Sequence, residues 1–105
     1  MFNKEEWTQQ ELYKYTEELY KKGTKVVLID TILKPLEKIE TITYNPFEMN
    51  EYPKGTVFVF YCDTGKTTKE RLDFYKNKFP DYKCISLRGG RGYWRPNYQL
   101  LKEID

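Results

Sequence analysis

The apolar run Val57-Phe58-Val59-Phe60-Tyr61 is rich in β-branched and aromatic residues and reads as a buried strand. It stops at Cys62, passes through a short loop with one glycine, and meets a helix start. Thr67 and Glu70 stand at capping-box spacing, which predicts Thr67 as the cap. The helix is expected to run to about Phe79, with Leu72, Tyr75 and Phe79 on one face and Pro80 as its stop. A cysteine is thereby placed at a strand's carboxyl end, facing backbone amides and a helix N-terminus.

Patterning elsewhere supplies the rest of the frame. Thr8-Gln9-Gln10-Glu11 is a second capping-box spacing, and Gly23 suits a helix C′ position. Between them Leu12, Tyr15, Leu19 and Tyr20 recur at helical spacing, an amphipathic helix packed on the domain, with Trp7 placed to staple its start. Lys25 to Asp30 reads as the first buried strand and Ile39 to Tyr44 as a second. Pro35 breaks any long helix between them, leaving room for a turn from Pro35 to Ile39. Asn45-Pro46 and Tyr52-Pro53-Lys54-Gly55 are turn signals, and Phe47, Met49 and Tyr52 are expected to pack that loop on the core. Tyr82 to Leu87 is another strand, Trp94 is expected in the core, and Pro96 to Ile104 reads as a short helix with Tyr98, Leu101 and Ile104 inward. Strands alternating with helices predict an α/β fold: a mostly parallel central sheet flanked by helices on both faces. Ligands on such sheets sit beyond the carboxyl ends of the strands, where Cys62 falls.

The chain has 105 residues, 39% of them hydrophobic and 32% charged, which suits a single domain spanning 1–105. No apolar run approaches membrane-spanning length, and Met1-Phe2-Asn3-Lys4-Glu5-Glu6 has no signal-peptide hydrophobic region, so the expected location is cytoplasmic with no membrane partner. Cys62 and Cys84 fall at opposite ends of neighbouring strands, four or five residues apart at about 3.3 Å each. A disulfide needs Cα atoms within roughly 7 Å, so no bridge is expected, and Cys84 reads as a small buried hydrophobe. With no histidine and two cysteines the chain has almost no soft metal ligands; no metal and no cofactor are expected.

Unpaired amides and the helix dipole favour an anion at the loop centre, and a thiolate there falls from a pKa of about 8.5 toward roughly 3.5–7.5. Cys62 therefore has the profile of a nucleophile. Gly65-Lys66-Thr67 matches only the tail of a nucleotide-binding P-loop, because Phe60 stands where that motif needs its first glycine. A cysteine phosphatase carries arginine six residues after its cysteine; here that residue is Thr68, with Lys69 and Arg71 out of register. Sulfur transfer through a cysteine persulfide needs the amide cradle and no arginine at that place.

From about Lys25 to Trp94 the chain resembles a single-domain rhodanese, a sulfurtransferase. Cys62-Asp63-Thr64-Gly65-Lys66-Thr67 is similar to its six-residue active-site loop, usually Cys-x-x-Gly-x-x. Leu87-Arg88-Gly89-Gly90-Arg91-Gly92-Tyr93-Trp94 resembles the Leu-x-Gly-Gly-x-x-x-Trp segment after the last core strand, and Val26-Val27-Leu28-Ile29-Asp30 the first core strand. Asp30-Thr31-Ile32 stands where the family usually writes Asp-x-Arg. The resemblance implies Cys62 as the catalytic residue and Asp63, Thr64, Gly65, Lys66, Thr67 and Thr68 as the loop that holds a persulfide. It implies a small anionic donor such as thiosulfate and a thiophilic acceptor, cyanide or a protein thiol. The alternative it leaves open is a non-enzymatic interaction or sulfur-carrier module.

Net charge is +2, too small to indicate nucleic acid as a partner, but it is unevenly spread. From Cys62 to Arg95 nine Lys and Arg stand against four Asp and Glu; the rest holds nine against twelve. A basic neighbourhood draws anionic donors. Lys66 is the leading candidate for the donor's anionic end, with Arg91 a further anion-binding candidate beside Arg88 and Arg95. The paired Gly89-Gly90 reads equally as a simple turn and as backbone passing close to the active loop.

Overall fold

The structure is a computed structural model and describes residues 5–95. In chain order the elements are strand β1 (Glu6–Trp7), helix α1 (Gln9–Lys21), β2 (Val26–Asp30), β3 (Ile42–Thr43), α2 (Pro46–Met49), β4 (Val57–Tyr61), α3 (Lys66–Glu70), α4 (Leu72–Lys78) and β5 (Lys83–Leu87), followed by a 3-10 turn at Gly90–Tyr93. The five strands form one sheet in the order β1-β5-β4-β2-β3, and every pairing is parallel. The α/β architecture expected from the alternation of patterns is the observed one.

Strand β4 is central, and all five of its residues are buried. Its continuous apolar run follows from burial on both faces, which removes any need for polar alternation. Side chains still alternate between faces. Val57, Val59 and Tyr61 join Leu12, Tyr15 and Leu19 of α1, together with Trp7 and Trp94, in one core. Phe58 and Phe60 face the other way, with Leu72, Tyr75, Phe79, Met49 and Cys84 in a second. There Phe60 and Tyr75 stack with centroids 4.0 Å apart. Trp94 is core, as expected, and its indole Nε1–H donates to the Glu37 carbonyl at 2.9 Å.

Helix α1 has the expected capping box: the Glu11 amide donates to Thr8 Oγ1 and the Thr8 amide to Glu11 Oε1, both at 3.1 Å. Gly23 ends it with φ 81°, its amide on the Tyr20 carbonyl. Tyr20 is not inward; it is 80% exposed, because α1 turns only a stripe of Leu12, Tyr15 and Leu19 to the sheet. Trp7 does more than staple the helix. It belongs to β1, paired with Leu87, and is fully buried.

Further expectations are corrected. Ile39 to Tyr44 pairs over Ile42–Thr43 only, opposite Ile29 and Asp30 at the end of β2, and Lys38 just ahead of the segment takes a left-handed φ of 66°. Asn45-Pro46 is a helix start: Asn45 Oδ1 accepts the Phe47 and Glu48 amides, and Pro46 occupies the first turn. Met49 and Tyr52 pack inward from this segment, whereas Phe47 is 88% exposed on the outer side of α2. The helix after the central loop is split at Arg71, and Thr67 lies inside α3 rather than ahead of it. Its N-cap is Gly65 at φ 86°, a left-handed turn that threonine takes only with strain, so no side chain caps α3. The helix expected from Pro96 to Ile104 lies outside the described residues.

Candidate active site

Cys62 directly follows β4, so its side chain emerges at the carboxyl edge of the sheet, between the start of α3 and the loop after β2. The chain then turns back over the sulfur, and the Gly65 amide donates to Cys62 Sγ at 3.1 Å. Thr68, fully buried one turn into α3, brings Oγ1 to 3.6 Å from the sulfur and 2.8 Å from Ser86 Oγ of β5. Two buried hydroxyls therefore stand in line behind the thiol. Burial pushes the Cys62 thiol up, but the amide and hydroxyl of Thr68 with the amides of Thr64 and Gly65 outweigh it, and the pKa stands below its ordinary 9.0. Cys84 is the opposite case: burial pushes its thiol up to about 11. Both cysteines are free, and only Cys62 has the surroundings of a nucleophile.

The Gly89-Gly90 turn is the clamp on this loop. The Arg91 amide donates to the Cys62 carbonyl at 2.8 Å and the Gly92 amide to the Asp63 carbonyl at 2.9 Å. A Cβ on Gly90 would stand 2.1 Å from the Cys62 carbonyl oxygen, and one on Gly65 would stand 2.8 Å from the Gly89 nitrogen. Neither position has room for a side chain. The close-passage reading of the paired glycines is the one the backbone adopts.

A cleft of about 160 Å³ opens in front of Cys62, lined by Asp63, Thr64 and Thr67 from the loop, Thr31 and Ile32 from the β2 exit, and Arg71 and Tyr75. The β2 exit is itself fixed. Buried Asp30 Oδ1 accepts the Ile32 amide at 2.8 Å, and Thr31 Oγ1 donates to the Tyr61 carbonyl at 2.8 Å.

Of the loop residues read from sequence, Cys62, Asp63, Thr64 and Thr67 line the cleft, while Gly65 and Thr68 hold the sulfur from behind. Lys66 is exposed and is not part of the cleft wall; its amide donates to Thr64 Oγ1. The Arg91 side chain lines a different depression, with Pro35, Leu36, Glu37 and Trp94, so its contribution to the loop is its backbone amide. Arg71 is the cation the cleft does contain. Counting from the cysteine sets it aside, but Thr67, Arg71 and Tyr75 stand four residues apart, and that spacing puts them on one helical face. Burial raises the Tyr75 phenol, and the adjacent Arg71 guanidinium partly offsets the rise.

Among the described residues no three His, Cys, Asp or Glu side chains gather as a metal would require, and no helix is long and apolar enough to cross a membrane. No protein-family model, curated protein or solved structure matches the chain.

Proposed function

We propose that the protein is a sulfurtransferase that carries a sulfane sulfur as a persulfide on Cys62. The observation that supports this most directly is a buried thiol whose pKa the Thr68 amide and hydroxyl, with the Thr64 and Gly65 amides, hold below its ordinary value against burial, at the floor of a cleft sized for a small anion. The Cys62 thiolate attacks the outer sulfur of thiosulfate, forming the Sγ–S bond. The donor's S–S bond breaks, and its electron pair leaves with sulfite. Cyanide or a thiolate then takes the outer sulfur, and the bonding pair returns to Sγ. This is covalent catalysis, with loop N–H groups stabilising the anionic intermediate. Arg71 replaces Lys66 and Arg91 as the group assigned to the donor's anionic end, because its side chain alone of the three lines the Cys62 cleft.

Arg71 also gives specific support to a second reading, phosphoryl transfer, since a planar guanidinium beside a reactive cysteine binds phosphate bidentately. One experiment separates the two. Intact mass is recorded before and after thiosulfate, for the wild type and for Cys62→Ser. A species one sulfur atom heavier, discharged by cyanide and absent in the variant, is the expected result. A thiol that alkylates readily but takes up no sulfur, with hydrolysis of an aryl phosphate, would replace sulfur transfer by the second reading.

A further inference from the structure

The cleft at Cys62 has a neighbour across Thr31, Arg71 and Tyr75. A second cavity of about 420 Å³ shares Thr31, Arg71 and Tyr75 with it and extends past Tyr44, Pro46 and Phe74 to Lys78. Its volume lies in the usual range for organic ligands, whereas the first cleft, at about 160 Å³, falls below it. The wall has a definite chemistry. Arg71, the cap ahead of α4, stands at i to Phe74, Tyr75 and Lys78 of α4 at i+3, i+4 and i+7, and the Tyr75 amide donates to its carbonyl, so two rings lie between two cations on one side of the helix. Tyr44 adds a third ring, its centroid 5.8 Å from that of Tyr75, and the Phe74 centroid also lies 5.8 Å from Tyr75. No Asp or Glu lines this cavity, and among the described residues neither Arg71 nor Lys78 has a carboxylate partner.

We propose that this second cavity binds the body of the sulfur acceptor, and that the acceptor is an organic thiol carrying an aromatic group and a carboxylate. The inference rests on sulfur transfer at Cys62 for its reactive end only. The ring lies against Tyr44, Phe74 and Tyr75, where edge and offset contacts stabilise an aromatic guest. The carboxylate meets Arg71 and Lys78. The thiolate reaches toward Cys62 and attacks the terminal sulfur of the persulfide. A new S–S bond forms on the acceptor, the Sγ–S bond breaks, and its electron pair returns to Cys62 as thiolate. The acceptor's thiol proton goes to solvent, and no oxidant or reductant is consumed.

Binding is tested apart from chemistry by titrating Cys62→Ala with para-(methylthio)benzoate and with its uncharged amide, following ring resonances by NMR. The benzoate is expected to bind at least about fivefold more tightly, and Lys78→Gln and Arg71→Gln to reduce that preference each in part. Equal affinity for the two probes, or a preference that survives in the double variant, overturns the proposal. Transfer from the wild-type persulfide to para-mercaptobenzoate and para-mercaptobenzamide is then compared. A preference in binding with no persulfide ever formed keeps the cavity's ligand class and removes sulfur transfer. A persulfide that forms and discharges equally to both thiols removes the acceptor site alone.

Discussion

The lowered pKa of Cys62 rests on one residue above the others. Thr68 presents both its amide and its hydroxyl to the sulfur, and Ser86 Oγ stands 2.8 Å behind that hydroxyl. Valine has nearly the shape of threonine but no hydroxyl, so Thr68→Val removes the polar contact and leaves Ser86 facing an apolar methyl. The Cys62 pKa is expected to move up toward 9.0, because the hydroxyl lowers it and burial, which raises it, remains. Alkylation rate against pH reads this directly. The midpoint of the profile moves to higher pH, and the thiolate fraction near neutrality, with the rate it sets, falls in proportion. An unchanged profile would show that the loop amides alone hold the thiolate. Arg71 teaches a related lesson about residues. Counted from the cysteine it is in the wrong place, yet counted along the helix from Thr67 it faces the cleft, and the helical count is the one the backbone obeys.

At the scale of elements, the loop between β4 and α3 keeps its shape only while the Gly89-Gly90 turn lies against it. Gly23 and Gly90 are both left-handed, at φ 81° and 54°, but nothing lies within 4 Å of a Cβ at Gly23, whereas one at Gly90 meets backbone. Gly23→Ala is therefore expected to cost about 1 kcal/mol from conformation alone. Gly90→Ala should cost upward of about 2 kcal/mol and displace the Cys62 carbonyl, so that thiol reactivity changes as well. Urea denaturation and alkylation rates on both variants check this; equal losses would mean that the clamp yields without strain. The same elements show how far the sequence can be read. Strand β4, the loop and β5 are legible because continuous apolar runs bounded by turns have few other structures open to them. Strand β1 is not: Glu6-Trp7 is too short for any periodicity, and its pairing with Ser86 and Leu87 is decided by tertiary contact. The break at Arg71 carries neither proline nor glycine, so the local code runs through it as one helix. Asn45-Pro46 is visible but ambiguous, since the same pair opens a turn or caps a helix.

Across the whole molecule, a sheet covered on both faces has buried groups that ionise only at alkaline pH. Burial pushes the Tyr61 phenol up to about 12, while its hydroxyl donates to the Lys34 carbonyl at 2.9 Å. Burial likewise pushes Cys84 up to about 11, and it raises Tyr44 and Tyr75. Each is an acid whose neutral form is favoured by the fold, so its contribution is complete below the unfolded pKa, 9.0 for the thiol and 10.0 for the phenols. That contribution is lost as pH rises through the folded values, because the unfolded chain releases these protons first. Cys62 acts in the other sense. Its folded pKa is lowered, so its contribution grows as pH rises from that value to 9.0 and is lost on acidification. Stability is therefore expected to climb gently toward about pH 9 and to fall steeply beyond about pH 10. Urea midpoints taken from about pH 7 to about pH 11 test the shape, with Cys62→Ala expected to remove the climb and Cys84→Ala to delay the onset of the fall. A midpoint that stays level through the alkaline range would mean that the phenols and Cys84 ionise without leaving the core, and that the two faces of the sheet admit water more freely than their packing implies.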